Sequence, residues 1–215
     1  MRVSVDGRRV EVADGATVLE AVRASGGQLP TLCYDERLAP FGACRVCLVA
    51  VAGLPAPVAA CTTLCRPEMQ IVTDDPRTRR VVATVVELVC SELPGPAPRG
   101  SELALLAERL GLQRGRFEGA THPVSHDLRH PYLALRRELC ISCGRCVRIC
   151  DELQGAFALT ATGRGFDASI TVGLDSGFTR SACVACGACA DTCPTAAISE
   201  RATLLDWEPE RGEHA

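Results

Sequence analysis

The strongest constraint on this chain is a cysteine pattern that occurs twice. Cys140, Cys143, Cys146 and Cys150 have two, two and three residues between them, and Cys183, Cys186, Cys189 and Cys193 repeat that spacing, with Pro194 after the last. The echo extends beyond the sulfurs: Cys140-Ile141-Ser142-Cys143-Gly144-Arg145-Cys146 is answered by Cys183-Val184-Ala185-Cys186-Gly187-Ala188-Cys189. Three thiolates two residues apart wrap a looped backbone around one face of an iron–sulfur cubane. The next cysteine, three further on at the start of a helix, points away and serves the other cluster. One [4Fe–4S] cluster is therefore expected on Cys140, Cys143, Cys146 and Cys193, and a second on Cys183, Cys186, Cys189 and Cys150. Ligands that cross over in this way tie the two repeats together and make folding depend on metal. Gly144 and Gly187 suit a backbone that must come close to sulfides, and loop amides donating to the sulfurs would tune the potential. A pair of zinc knots is the competing reading, but zinc is normally held by two C-x-x-C pairs, which explains neither the third step nor the cysteine–proline ending.

A second group, Cys33, Cys44, Cys47 and Cys61, has ten, two and thirteen residues between its members. Donor chemistry alone fits [2Fe–2S] and zinc equally. The surroundings are more telling. Val3 and Val5, then Val10 and Val12, alternate on either side of Asp6-Gly7, a hairpin signal. Thr17 and Glu20 form a capping box for a helix that runs to about residue 25 and stops at Gly26-Gly27. Residues 47–51 and 70–73 read as further strands, and Phe41-Gly42-Ala43 as a tight turn that brings amides toward sulfides. This α+β pattern resembles the β-grasp fold of plant-type ferredoxins, although the first gap there is four residues. The resemblance favours [2Fe–2S] over zinc.

Between these groups, Pro76 opens a helix to about residue 91, the proline-rich stretch 93–98 breaks it, and Ser101 caps a second helix over 102–110. The expected organisation is a [2Fe–2S] ferredoxin-like domain over 1–75, a helical connector over 76–129, a bacterial-type 2[4Fe–4S] ferredoxin domain over 130–205 and a charged tail over 206–215. Cys65 and Cys90 remain outside the ligand sets and read as small buried hydrophobes. His122, His126 and His130 recur every four residues in a polar stretch and read as a solvated row.

Composition bounds the rest. Hydrophobic residues make up 47% of the 215-residue chain but aromatic ones only 4%, so a core here lacks its heaviest side chains, and fourteen cysteines must compensate. Tight C-x-x-C-x-x-C groups and a start without an apolar run argue for metallated thiolates and a cytoplasmic location rather than a disulfide scaffold. A net charge of −3 gives no electrostatic case for nucleic acid. No apolar run approaches the roughly 18 residues that a membrane span needs.

At its cysteine motifs the chain resembles the 75-kDa iron–sulfur subunit of respiratory NADH dehydrogenase and the diaphorase iron–sulfur subunit of NAD-reducing hydrogenases. Its second half, with Gln154-Gly155-Ala156-Phe157 and Gly163-Arg164-Gly165-Phe166-Asp167, is also similar to the iron–sulfur region of the α-subunit of NAD-dependent molybdenum or tungsten formate dehydrogenases. The resemblance implies a non-catalytic electron-transfer subunit, with a flavin- and NADH-binding partner at the [2Fe–2S] end. A separate molybdenum, tungsten or hydrogenase catalytic subunit is implied near the 2[4Fe–4S] end. Residues 154–167 favour formate dehydrogenase over hydrogenase. Two features depart from the family. Its intervening cluster on one histidine and three cysteines has no counterpart in Cys90-Ser91-Glu92-Leu93-Pro94-Gly95-Pro96 and Arg99-Gly100-Ser101-Glu102, and no pterin, flavin or nicotinamide fingerprint follows. The catalytic centre is therefore expected on another chain. A free fused ferredoxin carrier and a redox sensor are the alternatives.

Overall fold

A computed structural model describes residues 1–112, 116–173 and 177–201. The charged tail at 206–215 lies outside the described residues. The chain divides into two compact units, Met1–Thr121 and His122–Ala215.

The first unit is a mixed five-stranded sheet, ordered β2-β1-β5-β3-β4, with helices packed on it. Strands β1 (Arg2–Val5) and β2 (Arg8–Glu11) form the expected hairpin, with Val3 opposite Val10. Asp6 and Gly7, at φ 47° and 80°, supply the two left-handed residues that a tight hairpin turn requires. Helix α1 (Val18–Ala24) carries the capping box: Thr17 Oγ1 accepts from the Glu20 amide at 3.3 Å, and the Thr17 amide donates to Glu20 Oε2 at 2.6 Å. Strands β3 (Leu48–Val51), β4 (Val58–Ala59) and β5 (Gln70–Val72) complete the sheet. β1 and β5 run parallel, so the chain must cross between them, and α1 belongs to that crossover. Val5, Val18, Leu19, Val49 and Ile71 fill the space between helix and sheet.

Helix α2 (Pro76–Ser91) starts where Asp75 accepts from the Thr78 amide at 2.7 Å with proline in its first turn. Its buried stripe of Val82 and Val86 also carries Glu87, whose carboxylate is held by Arg116 at 2.6 Å. Helix α3 (Glu102–Arg109), capped by Ser101, buries Leu103 and Leu106.

The second unit reproduces its sequence repeat in space. Strands β6 (His126–Asp127), β7 (Leu133–Arg136) and β10 (Ile198–Glu200) form one antiparallel sheet, while β8 (Leu159–Thr162) pairs with β9 (Ser169–Val172) in another. Each cysteine loop enters a four-residue helix, α4 (Arg145–Arg148) or α5 (Ala188–Asp191), through a left-handed glycine: Gly144 at φ 77° and Gly187 at φ 79°. The core between the sheets contains Leu135, Leu159, Ile170, Val172 and Ile198, and with them Cys146 and Cys189.

Three details differ from the sequence expectation. Cys150 lies inside a π-helical turn (Ile149–Leu153) that continues α4, and Cys193 lies just beyond α5, so neither fourth cysteine starts a helix. The left-handed glycine starts the helix one turn earlier than expected, which places the third cysteine inside it. His130 is 5% exposed, not part of a solvated row. The chain around it is extended rather than helical, so a spacing of four does not put the three histidines on one face. Finally, Cys65 is buried as expected, but Cys90 is only half-buried.

Candidate metal centres

Three sets of four thiols come together. In the first unit, the one long loop between α1 and β3 carries Cys33, Cys44 and, just before β3, Cys47, and Cys61 follows β4. Cys33, Cys47 and Cys61 are buried, and Cys44 is half-buried. The Cys44 amide donates to Cys33 Sγ at 3.4 Å. Gly42 approaches closely here. It sits at φ +71°, and a Cβ on it would meet Thr62 Cγ2 at 2.9 Å, so any larger residue would push the loop off its neighbour. The thiols share protons among themselves. Hydrogen bonds from the Cys44 and Cys61 thiols pull Cys33 down to about 2, and one from Cys61 holds Cys47 near 7. The two donors, Cys44 and Cys61, are pushed up for the same reason, with burial adding to the effect. Four sulfurs in one buried place cannot all ionise against each other; a cationic metal core would replace the shared protons.

In the second unit the four-thiol sets cross between repeats. Cys140, Cys143, Cys146 and Cys193 line one cavity, walled by Leu135, Ile141, Ile170 and Pro194. Cys150, Cys183, Cys186 and Cys189 line the other, walled by Leu133, Ala158, Phe178 and Val184. These are the groupings that the spacing argument pairs. Backbone amides donate to the sulfurs with the same repeat symmetry: Ser142 to Cys140 and Ala185 to Cys183, each at 3.4 Å. To hold these amides in place, Ser142 and Ala185 both adopt left-handed conformations, at φ 52° and 56°, which cost non-glycine residues energy. Ala158 donates to Cys150 at 3.4 Å and Ile198 to Cys193 at 3.5 Å. Burial pushes the Cys143 and Cys189 thiols up to about 12 and the Cys146 thiol well above its ordinary value. As bare side chains these thiols stay neutral, and binding of metal must displace their protons.

The donor set fits iron–sulfur clusters. It is four thiols per cavity in apolar walls, with N–H groups already aimed at sulfur and no carboxylate among the lining residues of either cavity. Among the described residues, no group of three or more histidine, cysteine, aspartate or glutamate side chains converges tightly enough to hold one metal ion.

Sequence reasoning missed His130. Its Nδ1 accepts the Tyr132 and Leu133 amides at 3.1 and 3.0 Å, and its Nε2 lies 3.8 Å from Cys183 Sγ. The available signal was His130-Pro131-Tyr132, a turn directly before an apolar strand, rather than the histidine spacing.

Fold and sites together define a two-module iron–sulfur protein. Comparison with known proteins agrees. Residues 1–76 match a 2Fe-2S iron-sulfur cluster binding domain and residues 139–197 a 4Fe-4S dicluster domain. The 75 kDa subunit of NADH-ubiquinone oxidoreductase from Reclinomonas americana is 34% identical over 221 residues, covering 99% of this chain and 32% of its own length. The NADP-reducing hydrogenase subunit HndD of Solidesulfovibrio fructosivorans is 30% identical over 220 residues, covering 97% of this chain and 37% of its own. A chain in the crystal structure of an NAD+-reducing [NiFe]-hydrogenase in the H2-reduced state superposes with a TM-score of 0.84 at 30% identity, over 94% of this chain and 87% of that one. This chain belongs to the family represented by that hydrogenase chain. It spans about a third of the length of the two curated relatives named.

Proposed function

We propose that this chain relays electrons inside a multi-subunit NAD(P)-linked oxidoreductase and performs no substrate chemistry itself. The observation that carries the reading is the pair of cavities in the second unit, each lined by three cysteines of one repeat and one of the other. In this reading Cys33, Cys44, Cys47 and Cys61 hold a [2Fe–2S] cluster. Cys140, Cys143, Cys146 and Cys193 hold one [4Fe–4S] cluster, and Cys183, Cys186, Cys189 and Cys150 the other. When bound, the clusters supply one-electron redox capacity. The chain's residues hold the thiolates at fixed spacing, bury five of the twelve and half-bury six, and present N–H groups to the sulfurs, which favours the reduced state. The modules are 1–75 and 130–205, joined by a connector over 76–129 without its own cluster; the location is cytoplasmic.

Partners dock beside the cluster sites. Phe41 and Leu64, 55% and 57% exposed, flank the [2Fe–2S] loops, and Val184, 62% exposed, stands beside Cys183. Apolar side chains left in water next to a redox centre suit a surface that a partner covers. A flavin-containing, NADH-binding partner belongs at the first site and a separate catalytic subunit at the second. Residues 154–167 favour a formate dehydrogenase as that catalytic partner. The hydrogenase relatives favour the alternative, an NAD-reducing hydrogenase.

Anaerobic purification from the native host tests both levels. Expected is brown protein with about ten irons per chain, two, four and four by cluster formula, together with co-purifying flavin and catalytic chains. Recovery only as a lone monomer would defeat the relay in favour of a free carrier. Colourless protein containing zinc and no iron would end the iron–sulfur reading.

A further inference from the structure

The two repeats give their first cysteines the same backbone donor, from Ser142 and Ala185, but Cys140 also receives the Ser142 hydroxyl and the Ile170 amide, whereas Cys183 faces an imidazole. His130 is buried, and its ring packs edge-on against Phe178 at 5.1 Å between centroids. The backbone fixes its tautomer. Nδ1 accepts two amide N–H groups, from Tyr132 and Leu133, so Nδ1 carries no proton. The neutral ring then has its proton on Nε2, the nitrogen 3.8 Å from Cys183 Sγ. Asp127, the nearest acidic side chain acting on the ring, is occupied by Arg129 at 2.9 Å and the Phe178 amide at 3.0 Å.

We infer that His130 is a potential-setting residue: it donates Nε2–H to the Cys183 thiolate and raises the reduction potential of the cluster held by Cys183, Cys186, Cys189 and Cys150, leaving the other cubane untouched. The inference rests on the ligand assignment proposed above. Reduction adds one electron to the cluster and makes its thiolates richer in negative charge, so a donor hydrogen bond to one of them stabilises the reduced form more than the oxidised form. No bond breaks, and the proton stays on Nε2.

Two substitutions separate this role from simple support of the fold. In His130→Asn the side-chain oxygen still accepts the following amides, as in an Asx turn, but the shorter side chain has no donor at the Nε2 position. His130→Gln restores a donor near that position and gives up the acceptor. Each full-length holoprotein is titrated anaerobically with dithionite and mediators, and the clusters are followed by EPR. Expected for His130→Asn is a fall in one cubane's potential by about tenfold in its reduction equilibrium, about 59 mV for one electron, with the other cubane and the [2Fe–2S] cluster unmoved. Expected for His130→Gln is recovery of most of that shift. Unchanged potentials in His130→Asn, or equal shifts in both cubanes, would overturn the inference. If His130→Asn fails to assemble, pulsed EPR of wild-type protein labelled with nitrogen-15 histidine replaces it. Coupling of an imidazole nitrogen to one reduced cubane supports the hydrogen bond, and its absence overturns it. Wild-type protein with about six irons and one cubane would instead overturn the ligand assignment on which the inference stands.

Discussion

The two units solve the same problem, holding sulfur in a buried place, with opposite resources. The first has a five-stranded sheet, a 16-residue helix and a core rich in valine, leucine and isoleucine, against which Cys33, Cys47 and Cys61 are buried. Its cysteines sit in loops laid on that frame. The second has helices of four residues, strands of two to four residues, and cysteines inside the core itself. Helices so short do not persist alone, and small two- and three-stranded sheets are marginal without something to pack on. In the proposed assignment one unit carries its cluster on a frame of its own, whereas the other is built around its clusters.

Removing metal is the largest test of that contrast. Chelation of the holoprotein should abolish amide-exchange protection across residues 126–201 while the strands and helices of 1–112 keep theirs, as hydrogen-exchange mass spectrometry would report. Equal loss in both units would break the comparison. Next in size, Leu103→Ala removes a fully buried side chain between α3 and the rest of the first unit. It is expected to cost about 2–5 kcal/mol in urea unfolding of that unit, with the eight irons of the second unit retained. Smaller still, Thr17→Ala removes the capping box and should cost about 1 kcal/mol.

The smallest effect is its pH dependence. Glu20 is held below its ordinary value by hydrogen bonds from Thr17, the backbone amide first and the hydroxyl second. A depressed carboxyl stabilises the fold above its unfolded value, near 4.5, and this contribution disappears as pH falls through the lower folded value. The difference in unfolding midpoint between wild type and Thr17→Ala should therefore narrow below pH 4.5 and stay constant above pH 6. A gap that widens on acidification would contradict the assigned hydrogen bonds.

How much was legible in the sequence follows the same division. The first unit's hairpin, capping box and α2 are local devices, each signalled by residues next to one another in the chain, and each stands where it was expected. That three cysteines of one repeat and one of the other line each cavity follows the sequence spacing, because ligand spacing encodes a cluster rather than a fold. The short strands of the second unit were not legible, because β6, β8 and β9 are two to four residues long and Leu159 and Ile170 face the cysteine cavities without a clear alternation along the strand. His130 was hidden for a related reason. Periodicity reports a helix face, but this imidazole is buried by a turn closing over a second repeat 53 residues away. Cys90 was misread because α2 leaves that side of its last turn half open to solvent.

The central claim is the exchange of a fourth sulfur between repeats, and one spectroscopic comparison tests it: EPR of the reduced cubanes in Cys150→Ser, set beside Cys143→Ser and Cys186→Ser. The account predicts that Cys150→Ser alters the same cubane signal as Cys186→Ser and spares the one altered by Cys143→Ser. A Cys150→Ser spectrum that matches Cys143→Ser instead would mean that each repeat keeps its own cysteine, and would contradict the account.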